Sequence, residues 1–304
     1  MKTPRWFLKR SLIAWLLLPL SFFYWGVSRI VFRMRARRAY SSRRKIICIG
    51  NILAGGVGKT PVVRQIAEFL DSPVVMRGYK NTARTNYIGD EAIMLSRYGL
   101  NVHTGDRKSN IVLLNKQKSD SPIVMDDGFQ NPKIKKDISV VVIDERFGFD
   151  NGFILPAGPM REGLSALYRA DAIIIMKYGS GQDKKFNIPA NIPVFYAKNA
   201  TVSPYSGGQK LVAFAGIGYP EKFFSNLKNV VYKKSFPDHY QYNDGDIKKL
   251  LELAGKYNAK LVTTEKDWVR LPENVRDEIK YAKLETVIEK KFFVWLKDKL
   301  NGDV

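Results

Sequence analysis

Ile46-Ile-Cys-Ile-Gly-Asn-Ile-Leu-Ala-Gly-Gly-Val-Gly-Lys-Thr-Pro61 is an apolar run, a glycine loop and a helix start in one piece. Four aliphatic or small residues before Gly50 suit a short buried strand. Gly55, Gly56, Val57 and Gly58 let the backbone curl so that its amides face a phosphate, and the helix that follows adds a favourable dipole. In such a loop Lys59 reaches the β- and γ-phosphates and the Thr60 hydroxyl ligates Mg²⁺. Pro61 suits the first helical turn, where its missing N–H costs nothing. The usual phosphate-loop spacing asks for glycine where Leu53 stands. A deviant Walker loop, as in membrane-binding ATPase switches, asks for lysine where Ala54 stands.

Outward from the loop, short apolar runs alternate with helical stretches. Strands are expected at Ile46–Ile49, Val74–Met76, Ile123–Met125, Ser139–Ile143, Ala172–Met176, Val194–Ala197, Leu211–Ala215 and Lys260–Thr263. Helices are expected at Pro61–Leu70, Asp90–Tyr98, Asn110–Gln117, Pro220–Leu227 and Asp244–Tyr257. That alternation predicts an α/β fold, a P-loop NTPase-like and mostly parallel sheet flanked by helices. A shift toward Gly, Ser, Lys and Asp near Lys177–Asn191 suggests a boundary. Three regions follow: 1–45 as a membrane-anchoring segment, 46–180 as the P-loop core, and 181–304 as a smaller α/β lobe carrying His239.

The 304 residues carry a formal net charge of +21, and its placement matters more than its size. No Asp or Glu occurs before Glu68, while residues 1–45 hold twelve Lys and Arg. Between the two basic clusters, Leu12 to Phe32 is almost wholly apolar and would span about 32 Å as one helix. Such a segment either crosses a bilayer once or lies in one leaflet. Basic residues on both flanks, Pro19 in the middle and Arg29 near the end favour the leaflet. A polybasic flank is drawn to anionic headgroups. Nucleic acid would leave the apolar run without a role. Cys48 is the only cysteine, so no intrachain disulfide forms, which fits a reducing compartment.

Phosphoryl transfer needs oxygens for a metal and a group to take the acceptor's proton. Four places offer them: Asp90-Glu91 at a helix start, Asp126-Asp127-Gly128 after a short strand, Asp144-Glu145 after a longer one, and Asp238-His239 in a loop. Spacing does not choose between Asp126 and Asp144.

Taken together, the chain resembles the tetraacyldisaccharide 4'-kinases, the lipid A 4'-kinases of Gram-negative bacteria. Nine motifs in order carry the resemblance. They are Gly50-Asn51 with the loop to Pro61, Arg77-Gly78-Tyr79, Gly89-Asp90-Glu91, Gly105-Asp106-Arg107, Asp126-Asp127-Gly128-Phe129-Gln130, Leu155–Glu162, Phe214–Gly218, Phe236-Pro237-Asp238-His239, and Thr263–Asp267 leading to Arg270-Leu271. The resemblance implies ATP and Mg²⁺, with Asp90 and His239 deprotonating the sugar hydroxyl, and Glu91 beside Thr60 on the metal. It favours Asp126 and Asp127 over Asp144 at the catalytic centre, with Lys59. Tyr79 and Arg107 are implied as substrate contacts, an arginine fork suiting a 1-phosphate.

The implied partners are a lipid-linked disaccharide 1-phosphate and an anionic membrane surface, with no nucleic acid and no obligate protein partner. The implied place is the cytoplasmic face of the bacterial inner membrane. Leu53, Lys80, Asn131 and Tyr240 depart from the family pattern, and two of these stand where histidine is usual. The competing class is a membrane-bound nucleotide switch, which would hydrolyse ATP without touching lipid.

Overall fold

A computed structural model of the chain describes residues 4–55, 58–77, 89–177, 186–205 and 207–302. In chain order it holds α1 (Arg5–Leu8), α2 (Leu12–Leu16), α3 (Leu18–Ala36), β1 (Ile46–Gly50), α4 (Lys59–Leu70), β2 (Val74–Met76), α5 (Asp90–Arg97), β3 (Val102–Thr104), α6 (Arg107–Asn115), β4 (Ile123–Asp126), β5 (Ile138–Asp144), β6 (Ala172–Lys177) and β7 (Val194–Val202). There follow β8 (Leu211–Ala215), α7 (Pro220–Ser225), β9 (Val230–Ser235), α8 (Asp244–Tyr257), β10 (Lys260–Thr264), α9 (Glu265–Trp268), β11 (Lys280–Ile288) and α10 (Lys290–Asn301). The chain forms two compact units, one of Asn199–Glu285 and one of the other described residues.

In the larger unit the strand order is β3-β2-β4-β1-β5-β6-β7, and neighbours run parallel. β1 and β5 are buried along their whole length, as parallel strands covered on both faces must be, which explains their unbroken apolar runs. Helix α4 turns Val62, Val63, Ile66 and Ala67 into that core. Phe292 and Leu296 of α10 lie in the same core, so the last turns of the chain return to the P-loop unit. The boundary expected at 180/181 is thus displaced: β6 and β7 remain together through Lys177↔Lys198, and Asn199 opens the second unit. That unit orders its strands β11-β10-β8-β9, again parallel. Phe214, Tyr242 and Leu250 fill the space between β8 and α8.

Residues 12–32 do not form one helix. Pro19 has no N–H for the Trp15 carbonyl, so the chain restarts there, with Pro19 in the first turn of α3. Among the described residues no helix is long and apolar enough to cross a membrane. The segment is instead fastened along one side to residues 151–157 of the P-loop unit. Ser21 Oγ donates to the Ile154 carbonyl at 2.9 Å and accepts from the Ala157 amide at 3.0 Å. Trp6 Nε1 donates to the Pro156 carbonyl, and Asn151 Nδ2 donates to that of Trp6. Away from this seam Leu12, Leu16, Phe22, Phe23, Ile30 and Met34 are exposed. The first 45 residues are therefore part of the larger unit with an uncovered apolar side.

Candidate active site

Gly50 ends β1 where a side chain has no room: a Cβ there would stand 2.4 Å from the Phe129 Cβ. That approach lets Asn51 turn inward, fully buried. Asn51 Nδ2 donates to the Leu53 carbonyl at 2.9 Å, Gln130 Nε2 donates to the Asn51 carbonyl at 2.8 Å, and Lys59 Nζ donates to Asn51 Oδ1 at 3.3 Å. One buried amide thus binds the start of the loop, its lysine and the Asp126–Gln130 segment.

Leu53 is explained by a second segment of chain, residues 159–161. It bridges Met160 in antiparallel fashion, the Ala54 amide donates to the Pro159 carbonyl at 2.7 Å, and the Arg161 amide donates to the Ile52 carbonyl at 2.8 Å. A buried, extended leucine does here what a glycine turn does elsewhere. The curl itself comes from Gly55 and Gly58, whose φ of 130° and 80° lie in the left-handed range that side chains avoid. Gly56 and Val57 lie outside the described residues, as does Tyr79.

The end of β4 brings two carboxylates to this loop. The Asp127 amide donates to the Ile49 carbonyl, and its φ of 49° swings the side chain across to the P-loop. Asp127 Oδ1 lies 3.3 Å from Lys59 Nζ, and Arg161 Nη1 reaches both of its oxygens at 3.1 Å. Burial alone would raise the Asp127 pKa, but Lys59 and Arg161 outweigh it and hold this carboxyl below the usual range.

Asp126 behaves oppositely. It is 7% exposed, and its Oδ1 is buried with no hydrogen-bond partner among the described residues. Burial pushes its pKa up to about 6; Lys59 and Arg107 pull it down, while Asp127 and Glu91 push it further up. Asp144, the rival by spacing, is held by Arg146 at 2.5 and 2.9 Å, and Glu145 by Lys177 at 2.8 Å. Both are neutralised by neighbouring cations, whereas Asp126 keeps a bare buried oxygen.

Asp90 and Glu91 occupy the first turn of α5, where the helix dipole favours negative charge. Asp90 is buried at 4% exposure, and α5 packs on α4. Glu91 lies near enough to Asp126 to act on its charge, and Thr60 follows Lys59 in the first turn of α4. Among the described residues no cluster of three His, Cys, Asp or Glu stands ready for a metal. Mg²⁺ needs no such cage, since it takes one or two carboxylates and completes its shell with phosphate oxygens and water. The orphaned Asp126 oxygen, Glu91 and Thr60 offer hard oxygen ligands that fit it.

Arg107 does not extend as a free fork. Its Nη2 donates to the Asp126 carbonyl at 2.8 Å and to that of Asp127 at 3.1 Å, and its Nε is buried without a partner. That arm is committed to the backbone of the Asp126–Asp127 turn. Arg161 is a site residue that spacing alone did not single out; its only sequence signal is its place in the Leu155–Glu162 motif. Arg169 adds a further support, its guanidinium lying 4.8 Å from the Phe129 ring and 4.5 Å from that of Phe32 in α3.

His239 belongs to the smaller unit, in the loop after β9. Its φ is 60°, its amide donates to the Gly216 carbonyl at 3.1 Å, and its ring meets Arg270 at 3.3 Å.

The family profile of the tetraacyldisaccharide-1-P 4'-kinases matches residues 13–301. The chain belongs to this family. The tetraacyldisaccharide 4'-kinase of Maricaulis maris is 37% identical over 298 residues, covering 90% of this chain and 85% of that one. That of Rickettsia canadensis is 38% identical over 293 residues, 88% of this chain and 87% of its own length. In fold, the LpxK of Aquifex aeolicus, crystallised in complex with ATP, superposes with a TM-score of 0.76 at 23% identity, over 95% of this chain and 99% of that one. The chain is therefore an enzyme of the kinase class, with the expected P-loop architecture.

Proposed function

We propose that the chain transfers the γ-phosphoryl group of ATP to the 4'-hydroxyl of a tetraacyl disaccharide 1-phosphate, in lipid A biosynthesis, and releases ADP. The observation that carries this reading is the meeting of the P-loop lysine with two carboxylates of opposite character. Asp127 is held ionised by Lys59 and Arg161, and Asp126 is buried with an uncommitted oxygen.

In this reading the loop amides and Lys59 bind the phosphates, and Asp127 with Asn51 aims the Lys59 ammonium. Thr60, Glu91 and Asp126 would hold Mg²⁺, which would supply charge neutralisation on the phosphate oxygens. Asp90 takes the proton of the sugar hydroxyl as that oxygen bonds to phosphorus, and the bond from phosphorus to the ADP oxygen breaks. Family resemblance adds His239 to this step and Tyr79 and Arg107 to the substrate's headgroup.

The exposed Leu12, Leu16, Phe22, Phe23 and Ile30, flanked by arginines, support work at a membrane surface. Anionic lipid at the cytoplasmic face of the inner membrane matches that charge, so binding weakens as salt rises.

The test follows the label. With γ-labelled ATP, Mg²⁺ and the disaccharide lipid, counts move into the organic phase, and Lys59→Ala abolishes the transfer. Label found only as free phosphate would sink the kinase reading and favour a nucleotide switch.

A further inference from the structure

We propose that Ser21 is a positioning residue for nucleotide binding: through residues 151–161 it seats the entry of the phosphate loop, so that ATP affinity is linked to attachment of α3 to a lipid surface. The linkage rests on the reading that α3 faces a membrane; the role of Ser21 stands apart from it.

Helix α3 is built inside out. Of its 19 residues the one that is buried is Ser21, at 4% exposure, while its neighbours Phe22 and Phe23 stand 68% and 70% exposed. A polar side chain is costly to bury unless it is bonded, and Ser21 is bonded twice to one loop of the P-loop unit. Its hydroxyl donates to the Ile154 carbonyl and accepts from the amide of Ala157, itself fully buried. Asn151 fastens the same loop. Its Nδ2 donates to the Trp6 carbonyl at 2.7 Å and to that of Ala157 at 2.9 Å, and its Oδ1 accepts from the Phe153 amide at 2.9 Å. The Trp6 indole adds its bond to the Pro156 carbonyl.

The far end of this loop holds the phosphate loop. Only Gly158 separates Ala157 from Pro159, whose carbonyl receives the Ala54 amide. Gly158 has no slack to absorb a shift. Its amide donates to the Ile154 carbonyl at 3.0 Å, and a Cβ there would stand 2.1 Å from Asn151 Oδ1. The Leu155 amide donates to the Met160 carbonyl and the Met160 amide to that of Phe153, so the loop is closed on itself. Beyond it the Arg161 amide donates to the Ile52 carbonyl, and the Arg161 guanidinium holds Asp127, the partner of Lys59. Close-packed groups shift together, so what seats Ala157 also seats residues 52–54. Helix α3 has a second hold at Phe32, where Arg169 meets both that ring and Phe129 of the Asp126–Gln130 segment. Both holds lead toward the nucleotide site.

A helix with one buried residue has little to keep it ordered in water. A bilayer that covers Leu20, Phe22, Phe23 and Ile30 favours the ordered helix over the frayed one, and the ordered helix is the form that grips Ala157. Binding at the surface then tightens the nucleotide, and by linkage the nucleotide tightens surface binding by the same factor.

Calorimetric titration of the full-length protein with Mg²⁺ and the β,γ-imido analogue of ATP tests Ser21 without any lipid. Ser21→Ala keeps the helix and its apolar side but leaves the Ala157 amide unpaired, and affinity should fall on the order of 10-fold. A purely structural serine would lower the urea midpoint and leave the affinity of the folded protein unchanged; that result overturns the proposal. Should Ser21→Ala fail to fold, Trp6→Phe removes only the indole donor to Pro156. It should weaken the analogue about 3-fold, and an unchanged affinity there is equally fatal.

Vesicles of phosphatidylethanolamine and phosphatidylglycerol test the linkage. They should tighten the analogue on the order of 10-fold in the wild type, and the analogue should tighten vesicle partition equally. Ser21→Ala should still bind the vesicles but lose that gain. Vesicle binding without a gain, or an equal gain in Ser21→Ala, overturns the linkage. No binding to vesicles overturns the membrane reading, and the calorimetry alone then decides the role of Ser21.

Discussion

Replacing Asp126 by asparagine keeps the shape of the side chain and removes its charge. In the folded protein burial raises this carboxyl from 3.8 to about 6. A raised acid stabilises the fold below its unfolded pKa, and that contribution is lost as pH climbs through the folded pKa. Two pKa units correspond to about 3 kcal/mol, so the ionised group costs the wild type about that much at pH 8 and about 1.5 kcal/mol near pH 5. Asp126→Asn should therefore be the more stable protein at pH 8 in urea unfolding without Mg²⁺ or nucleotide, with a gap that shrinks as pH falls from about 6 toward about 4. The same variant should lose most of its transfer activity, since an amide is a poor Mg²⁺ ligand. A stability gap that ignores pH, or a variant less stable than wild type at pH 8, would refute the idea that Asp126 stores unfavourable charge for the metal.

Other outcomes follow from the same geometry. Gly50→Ala forces a Cβ against Phe129 at 2.4 Å and should cost about 1–3 kcal/mol in urea unfolding, as overpacking does; an unchanged midpoint would place the clash elsewhere. Arg161→Met removes two 3.1 Å contacts from Asp127 and should lower kcat/KM for ATP on the order of 10- to 100-fold, the worth of a charge-assisted bond. Unaltered kinetics would mean that Lys59 alone aims Asp127. Phe22→Ser/Phe23→Ser empties two exposed rings from the uncovered side of α3 and should weaken partition onto anionic vesicles about 100-fold, without altering the urea midpoint.

Strand and helix positions around the P-loop were legible because parallel, doubly covered strands write themselves as apolar runs, as in β1, β5 and β6. Three strands escaped that signal. β3 is a three-residue edge strand, β9 is mostly exposed, and β11 alternates lysines and glutamates with half-buried residues. Helix α10 follows β11 and was missed with it, although Phe292 and Leu296 reach the main core. At the site, the choice of Asp126 over Asp144 could not come from spacing. It turns on Arg146 and Lys177, which neutralise Asp144 and Glu145 through contacts that only the folded chain brings to one end of the sheet. Arg161 escaped for a similar reason, its partner Asp127 lying far back in the sequence.

The bridge between Leu53 and Met160 has one more consequence. Residues 52–54, which lead into the phosphate loop, are held by Pro159, Met160 and Arg161, through the Ala54 and Arg161 amides. During synthesis the loop emerges long before those residues exist, so the nucleotide pocket is completed only after the chain has been extended past Arg161. For the same reason the segment from Gly50 to Thr60 is not a portable cassette. Grafted alone into another sheet, it would leave behind the segment that holds its entry in place.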